Sequence, residues 1–422
     1  MGRAAAEEGL TRRAAVAGEA PPPSPWRLVP ALGLMQILAW ASSYYLPAVI
    51  AAPVAESMGW PLSWAVGGVS LGLLASGLAA PLVGRAIDRR GGRPVLAASA
   101  LLLAAGLSSL ALSAGIASYM AGWVLMGLGM GAGLYDAAFA ALGRTFGERA
   151  RPAITALTLF GGFASTLGWP LSALLVESFG WRGACWAYAA VHLAVVLPSY
   201  LLLLPRERRR ELSALVRPPE RQPGEAAPMP VSRPPRRALL LALLAVAFTL
   251  GDVIWSVLSV HLIVILRARD VPLAEAVALG ALVGPAQVAA RTVEMFSGRH
   301  YHPIWTLIAS SLLFTAGVAL LWKGQPLLAV GFILYGAGGG MRSIARGTLP
   351  LALFGSSGYA TLIGRLAMPS LLAQSVSPIL GALLLDRIGA VPLLGTLAGV
   401  AVVQLATVAL LWALSRPLRR TR

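Results

Sequence analysis

Apolar segments long enough to cross a lipid bilayer follow one another along almost the whole chain. An α-helix needs about 20 apolar residues to span the hydrocarbon core. Twelve such segments occur, at 28–51, 62–84, 95–114, 119–143, 153–178, 183–204, 238–265, 272–296, 304–322, 326–346, 358–385 and 391–414. Only 12% of the 422 residues are charged, against about 25% in a soluble domain. We therefore expect an all-α membrane protein with twelve transmembrane helices, not a water-soluble enzyme.

One long polar stretch, 206–237, divides the twelve segments into two sets of six. It is rich in arginine and proline, so we predict a cytosolic linker between six-helix bundles at 28–205 and 238–415. The remaining residues, 1–27 and 416–422, are predicted to be cytosolic tails. The first tail has no long apolar run, so we expect it to be disordered and not a cleaved signal.

The distribution of arginine predicts the orientation in the membrane. With the N-terminus in the cytoplasm, 26 of the 34 basic residues lie in tails and loops on the cytoplasmic side, and five lie in the opposite loops. Cytoplasmic loops of membrane proteins are enriched in arginine and lysine. We therefore predict that both termini are cytoplasmic, and we expect the membrane to be the inner membrane of a bacterium. The net charge of +17 then reflects topology, so no nucleic-acid partner is expected.

The two halves of the chain share a pattern of glycines and prolines. The fourth and tenth segments both contain closely spaced glycines, and each is followed by a further glycine, Gly147 and Gly355. A proline comes later in each half, at Pro170 and Pro378, and both pairs are separated by 208 residues. A parallel repeat of this kind is typical of two bundles that face each other across a central site.

The turn between the second and third segments carries a recognisable motif. It begins at Gly84, continues with Asp88-Arg89 and then with Gly91 and Arg93. This sequence resembles the signature loop of the major facilitator superfamily, in which a glycine is followed after three residues by Asp-Arg and then by x-Gly-x-Arg. The resemblance implies the fold of that family, two pseudo-symmetric bundles of six helices.

The resemblance also implies a gate. Asp88 is expected to help latch the two bundles on the cytoplasmic face in the outward-open state, with Arg144 as a partner. A carboxylate at this place can bind the free N–H groups at a helix terminus; a merely solvated turn is the alternative. The matching stretch in the second half, 293–303, keeps little of the motif, so no second latch is expected there.

Polar residues inside apolar segments indicate a shared chamber, because a charge at the bilayer centre costs about 2.5–3.5 kcal/mol. Two helical stripes on the first and seventh segments are predicted to line the translocation path, and ordinary packing is the alternative. They contain Gln36, Trp40 and Tyr44, and Asp252, Trp255 and Ser256.

Further charges lie inside the fourth, eighth, tenth and eleventh segments. The repeat places Arg342 close to the counterpart of Asp136, so we predict that Asp136 and Arg342 face each other and that their pairing changes with proton or substrate binding. A structural salt bridge is the alternative. Arg291 and Arg365 are possible substrate contacts, or their long side chains reach the membrane surface.

These features favour a secondary active transporter that works by alternating access, with no enzymatic activity, cofactor or metal site. We expect it to act as a monomer in the lipid bilayer, coupled to protons through Asp136 and Asp252. Three interior arginines against two acids favour a small organic anion, such as a monocarboxylate, as substrate. The alternatives are an efflux pump for toxic hydrophobic or metalloid compounds and, in another class, a non-transporting receptor of the same fold.

Overall fold

The computed structural model describes residues 25–205 and 235–420, and these residues are almost entirely helical. Most of the predicted tail 1–27 and of the predicted linker 206–237 therefore lies outside the described residues. The helices in chain order are α1 (Pro25–Ser42), α2 (Pro47–Met58), α3 (Leu62–Arg90), α4 (Gly92–Ala111), α5 (Ile116–Gly133), α6 (Tyr135–Phe146), α7 (Arg151–Gly162), α8 (Ala164–Val191), α9 (Leu197–Leu203), α10 (Pro235–Arg267), α11 (Leu273–Ala281), α12 (Val283–Ser297), α13 (Pro303–Lys323), α14 (Leu328–Phe354), α15 (Tyr359–Ile388) and α16 (Ala390–Arg420).

Ten helical stretches in the part of the chain that the structure describes are long and apolar enough to cross a membrane. One of them, Ile116–Leu203, has 88 residues, which is several times the bilayer thickness at 1.5 Å per residue. It holds three spans, because the helix is interrupted at Gly147–Ala150 and again at Gly180. The total is twelve spans, and the predicted fold class is confirmed.

The breaks within spans and the ends of spans lie at particular residues. Pro47 starts α2 after a short non-helical turn that follows Ser42, since proline has no N–H to donate to the preceding turn. Leu134 separates α5 from α6 with an extended backbone. Gly147 and Gly355 end α6 and α14 with φ values of 57° and 80°, which are accessible to glycine. These two glycines are the pair that the repeat predicted.

Three helices end at least six residues beyond the predicted segments, and one of them is α3, which ends at Arg90 and not at residue 84. α14 continues to Phe354, beyond the predicted end at residue 346, and α16 continues to Arg420, into the predicted tail. The prediction ended α14 at Arg346 because an arginine there was assigned to a loop. The structure places this arginine inside the helix, where carboxylates surround it.

The two bundles meet along several helix pairs. We call the side of the molecule with the turn between α3 and α4 the loop face. α3 packs along α15, and α7 packs against α12. Along α3 the close approaches run from Gly77, beside Leu372, to Gly84, where an added Cβ atom would lie 2.3 Å from the carbonyl oxygen of Ala360. The bundles are therefore closed against each other between the middle of the molecule and the loop face.

Candidate functional site

Four charged side chains form one cluster between the bundles. Asp136 comes from α6 of the first bundle, whereas Asp252 from α10 and Arg342 and Arg346 from α14 belong to the second. Arg346 donates from Nε and Nη2 to the two carboxylate oxygens of Asp136, at 2.8 and 3.0 Å. Its Nη1 atom donates to Asp252 at 2.6 Å. One guanidinium therefore joins carboxylates of both bundles.

The second arginine completes the cluster inside the second bundle. Arg342 donates through Nη1 to Asp252, and both residues are buried. Its Nε atom is buried and has no hydrogen-bond partner among the described residues. An unpaired buried donor costs about 1–3 kcal/mol, so this N–H is a ready site for an additional acceptor.

Local structure places each charge of the cluster. Asp136 lies in the first turn of α6, where the unpaired N–H groups that the break at Leu134 leaves favour a negative charge. Arg342 and Arg346 are four residues apart and so share one face of α14. Gly251 makes room for them, because an added Cβ atom would lie 3.1 Å from Cδ of Arg342.

The predicted pairing of Asp136 with Arg342 is wrong. The residue that pairs with Asp136 is Arg346, one helical turn further along α14, while Arg342 pairs with Asp252. The offset of 208 residues places the counterpart of Asp136 at position 344, midway between the two arginines. The repeat therefore located the right helical turn, but it could not choose between adjacent arginines.

Aromatic pairs occupy equivalent places on either side of the cluster. In the first bundle Trp40 contacts Tyr135, with ring centroids 5.0 Å apart. In the second Trp255 stacks on Tyr335 at 4.9 Å. Each pair joins the first and fourth spans of its bundle. The sequence predicted Trp40 and Trp255 as lining residues, but not their tyrosine partners.

Tyr44 and Ser256 differ in their surroundings. Tyr44 packs on Trp40 at 5.3 Å and lies near enough to Asp252 and Arg342 to interact with them electrostatically. It therefore brings a hydroxyl of the first bundle towards charges of the second. Ser256 is buried, and its hydroxyl lies 3.5 Å from the carbonyl oxygen of Gln374 in α15, which is a packing contact within the second bundle.

Gln36 supports the break in the fourth span. Its side-chain amide donates to the carbonyl oxygen of Gly133 at 2.6 Å. Gly133 is the last residue of α5, and carbonyl groups at helix ends lack partners within the helix. In this conformation the amide nitrogen of Gln36 therefore stabilises the end of α5.

The two further arginines have different environments. Arg291 is buried, and Nη1 donates at 3.0 Å to the carbonyl oxygen of Thr158 in the first bundle. The alternative that Arg291 reaches the membrane surface is therefore wrong, because its hydrogen bond to Thr158 holds it at the bundle interface. Arg365 is exposed near the start of α15, which is consistent with a side chain that reaches the membrane surface.

The carboxylate of Asp88 joins the two bundles on the loop face. One oxygen accepts hydrogen bonds from the backbone N–H of Thr361, at 2.8 Å, and from its hydroxyl, at 2.5 Å. Thr361 is the third residue of α15, where the backbone N–H has no partner within the helix. The structure thus contains the predicted contact of this carboxylate with a helix terminus of the other bundle.

Arg144 contacts Asp88 at its backbone. Arg144 in α6 donates to the backbone carbonyl of Asp88, so it braces α3 and α6 within one bundle. Gly91 has a φ of 87° and ends α3. Arg89 is exposed and Arg93 is half-buried. Gly84 lies inside α3, so its small size serves close helix packing and not the turn.

A second contact between the bundles lies on the same face, where none was expected. Glu294 in α12 is buried and accepts from the hydroxyl of Thr306 at 2.7 Å and from Tyr301. Its carboxylate lies 3.6 Å from Nη2 of Arg151, the first residue of α7. Burial and the hydrogen bond to Glu294 raise the pKa of Tyr301. The expectation that 293–303 contains no latch is therefore wrong.

This contact matches the one at Asp88 by the repeat. The counterparts of Asp88 and Thr361 under the 208-residue offset fall within two residues of Glu294 and Arg151. Each half therefore sends a carboxylate to the start of the fifth span of the other half. The two contacts differ in the donor, because Arg151 supplies a guanidinium where Thr361 supplies a backbone N–H. An acid inside an apolar segment was the signal that could have revealed Glu294.

Sequence comparison identifies the family. Residues 32–300 match the sequence model of the Major Facilitator Superfamily, which is more than half of the chain. The chain belongs to the major facilitator superfamily. It is therefore a multi-pass membrane protein of a transporter family. A comparison with curated proteins gives no match.

Solved structures of this superfamily share the fold. The human organic anion transporter MFSD10 (TETRAN) is 18% identical, with a TM-score of 0.69 over 92% of this chain and 100% of that chain. The proton:xylose symporter XylE, bound to 6-bromo-6-deoxy-D-glucose, is 13% identical, with a TM-score of 0.64 over 90% of this chain and 94% of that chain. At such identities the similarity extends to the fold, and the chemistry of the site must be argued from its own residues.

Proposed function

We propose that the chain is a secondary active transporter that moves a small organic anion, such as a monocarboxylate, together with a proton by alternating access. The observation that carries this proposal is the cluster in which Arg346 joins Asp136 to Asp252 while a donor of Arg342 has no partner among the described residues. The cluster lies where the two bundles meet, so it responds both to a bound solute and to their relative movement.

Charge balance in the cluster supports coupling to protons. Two guanidiniums face two carboxylates, so the buried cluster is neutral when both acids are ionised. A monocarboxylate that enters would add one uncompensated negative charge, and burying such a charge costs several kcal/mol. A proton on Asp252 restores neutrality and frees Arg342 to bind the substrate. One proton therefore accompanies each monovalent anion.

The surroundings of Arg342 support an organic anion as the substrate. The free Nε–H can donate a charge-assisted hydrogen bond to a carboxylate, which is stronger than a bond between neutral groups. The aromatic pairs Trp40–Tyr135 and Trp255–Tyr335 offer apolar surface for the body of the substrate. Ligand sites commonly combine apolar walls with a few placed polar groups.

The bundle contacts and the distribution of arginine support an orientation. We place the loop face, where Asp88 and Glu294 hold the bundles together, in the cytoplasm, together with both termini. The described conformation is then closed towards the cytoplasm. We place the protein, as a monomer, in the inner membrane of a bacterium, where a proton gradient is available.

Uptake into proteoliposomes tests the proposal. The purified chain is reconstituted, and uptake of labelled lactate, benzoate and xylose is measured with and without an inside-alkaline pH gradient. We expect saturable uptake of a monocarboxylate that the gradient accelerates and that Arg342→Gln abolishes. Uptake of xylose without uptake of either acid would refute the anionic substrate. Failure of every solute, including a wider panel of hydrophobic and metalloid compounds, would refute transport.

A further inference from the structure

A pocket on the loop face lies between the two bundles and apart from the central charge cluster. Its volume is about 470 Å³, within the range of about 300–1,000 Å³ that is usual for small-molecule sites. The first bundle contributes Glu148 and Arg151, while the second contributes the turn Arg299–Pro303 and the end of α14. A ligand that fills it would therefore contact both bundles at once.

The pocket has a basic rim and an apolar floor. Arg151, Arg299, His300 and His302 line the rim, and Leu351, Ala352 and Leu353 of α14 line the floor. Glu148 is also on the rim, but it is exposed, so water and salt screen its charge. A molecule with one oxyanion group and a compact apolar body fits a pocket with a basic rim and an apolar floor.

One polar atom in the pocket wall is short of a partner. Nη1 of Arg151 donates to the carbonyl oxygen of Tyr301 at 2.6 Å. Nη2 is buried, has no hydrogen-bond partner within the described residues, and stands 3.6 Å from Glu294. Nδ1 of His302 accepts from the backbone N–H of Ile304 at 3.2 Å, which fixes the imidazole ring at the start of α13 beside the pocket.

We propose that this pocket binds a small oxyanion with an apolar body, and that the bound anion holds the bundles together on the loop face. The carboxylate or phosphate group binds the guanidinium of Arg299 together with that of Arg151, which keeps its contact with Glu294, and the body lies on Leu351 and Ala352. The site is separate from Arg342 and does not depend on transport through the central cluster. Binding from the loop face would slow opening on that side, so the anion acts as a regulator.

Binding of benzoate to the purified full-length chain, measured by calorimetry, tests this site, with benzamide as the uncharged control. We expect benzoate to bind and benzamide to bind at least tenfold more weakly. The variants are compared in an Arg342→Gln background, which removes the monocarboxylate site proposed for the central cluster. In that background Arg299→Gln should weaken binding at least tenfold, because a charge-assisted hydrogen bond is lost. Ala352→Phe should abolish it by filling the floor. Arg149→Gln is the matched control, since Arg149 is exposed on the same face and lies outside the pocket lining.

The variants separate this site from the central one. Binding that survives Arg342→Gln and is lost when Arg299→Gln is added to it supports the pocket, whatever becomes of the proposed transport. Binding that is lost in Arg342→Gln and kept in both Arg299→Gln and Ala352→Phe would overturn the pocket. Equal binding of benzamide, or no binding of benzoate, would also overturn it.

The oxyanion could come from solution or from a lipid headgroup, and nanodiscs distinguish these sources. We expect benzoate to bind equally in discs of phosphatidylcholine and in discs that also contain phosphatidylglycerol if the ligand comes from solution. Weaker binding in the second kind of disc, with the difference removed by Arg299→Gln, identifies a lipid phosphate as the occupant. Either result supports an oxyanion site. If the difference in benzoate binding between the two kinds of disc persists in both Arg299→Gln and Ala352→Phe, the proposed oxyanion site is overturned.

Discussion

Arg346 binds both carboxylate oxygens of Asp136 through two parallel hydrogen bonds of 2.8 and 3.0 Å, and this pair connects α14 of the second bundle to α6 of the first. Paired hydrogen bonds of this kind fix orientation as well as charge. Because the same guanidinium also reaches Asp252, any movement of the bundles that separates Arg346 from Asp136 changes the charge balance around Asp252. In the proposed mechanism, this change links bundle movement to the protonation of Asp252.

Removal of Arg346 should destabilise the protein more than removal of Arg342. Arg346→Gln leaves Asp136 without its arginine partner, whereas Asp252 keeps Arg342. Breaking a buried pair costs roughly 3–5 kcal/mol. Asp136 is 22% exposed, so we expect about 2–3 kcal/mol after partial solvation. The measurement is the thermal unfolding midpoint in detergent micelles. Arg365→Gln, at an exposed arginine, should leave the unfolding midpoint unchanged. An equal decrease in Arg346→Gln, Arg342→Gln and Arg365→Gln would contradict the prediction.

Asp252→Asn should uncouple transport from the pH gradient. The amide is neutral, so the cluster has the same net charge as it has when Asp252 is protonated. No proton therefore needs to accompany the substrate. We expect the acceleration by an inside-alkaline gradient to fall from severalfold to none, while exchange of substrate across the membrane continues. Internal pH, followed with a trapped dye, should no longer change during uptake.

Asp386→Asn is the matched control, since Asp386 is exposed in the last turn of α15. This variant should respond to the gradient like the unchanged protein. Full gradient dependence in Asp252→Asn would move the proton site elsewhere, with Asp136 the next candidate to be tested by the same substitution.

The fold was predictable because it depends on coarse features. Apolar length sets the number of spans, and the glycines Gly147 and Gly355 mark equivalent helix ends. The interruption at Leu134 was not predictable, since nothing at leucine disfavours a helix. It depends on tertiary contacts, such as the bond from Gln36 to Gly133.

The candidate site was predictable only by region. Asp136, Asp252 and Arg342 belong to the cluster because interior charges are costly and need partners, but the choice of partner depends on one helical turn. Thr361 could not be identified, since its contribution is mainly a backbone N–H that any residue offers. Glu294 was identifiable in principle, as an acid within an apolar segment.

A disulfide across the loop face should trap the described conformation. A Cβ atom added at Gly147 would lie 4.0 Å from Cβ of Ser356, and disulfides need about 3.5–4.5 Å. We expect Gly147→Cys with Ser356→Cys, in a Cys185→Ser background, to crosslink rapidly on mild oxidation. Uptake should then fall at least tenfold and recover on reduction, because alternating access requires this face to open.

Each single-cysteine variant is a control. Gly147 has a positive φ, so the cysteine there costs about 1–3 kcal/mol in backbone strain, and this loss must be the same with and without oxidant. Uptake that is unaffected by complete crosslinking would show that the loop face does not open during transport.

The contact of Asp88 with Thr361 should stabilise the closed loop face by an amount typical of a helix cap. Such caps contribute about 0.5–2 kcal/mol, which corresponds to a factor of roughly 2–30 in the closed-to-open ratio. Asp88→Ala should therefore slow crosslinking of the Gly147→Cys and Ser356→Cys pair by up to that factor, which is reached when the open form predominates. Asp88→Asn should have a smaller effect because its amide oxygen still accepts. Thr361→Val keeps the backbone N–H and should also have a smaller effect than Asp88→Ala. If Asp88→Ala crosslinks at the unchanged rate, the closed face depends on Glu294 and Arg151 instead, and Glu294→Gln should then slow the reaction.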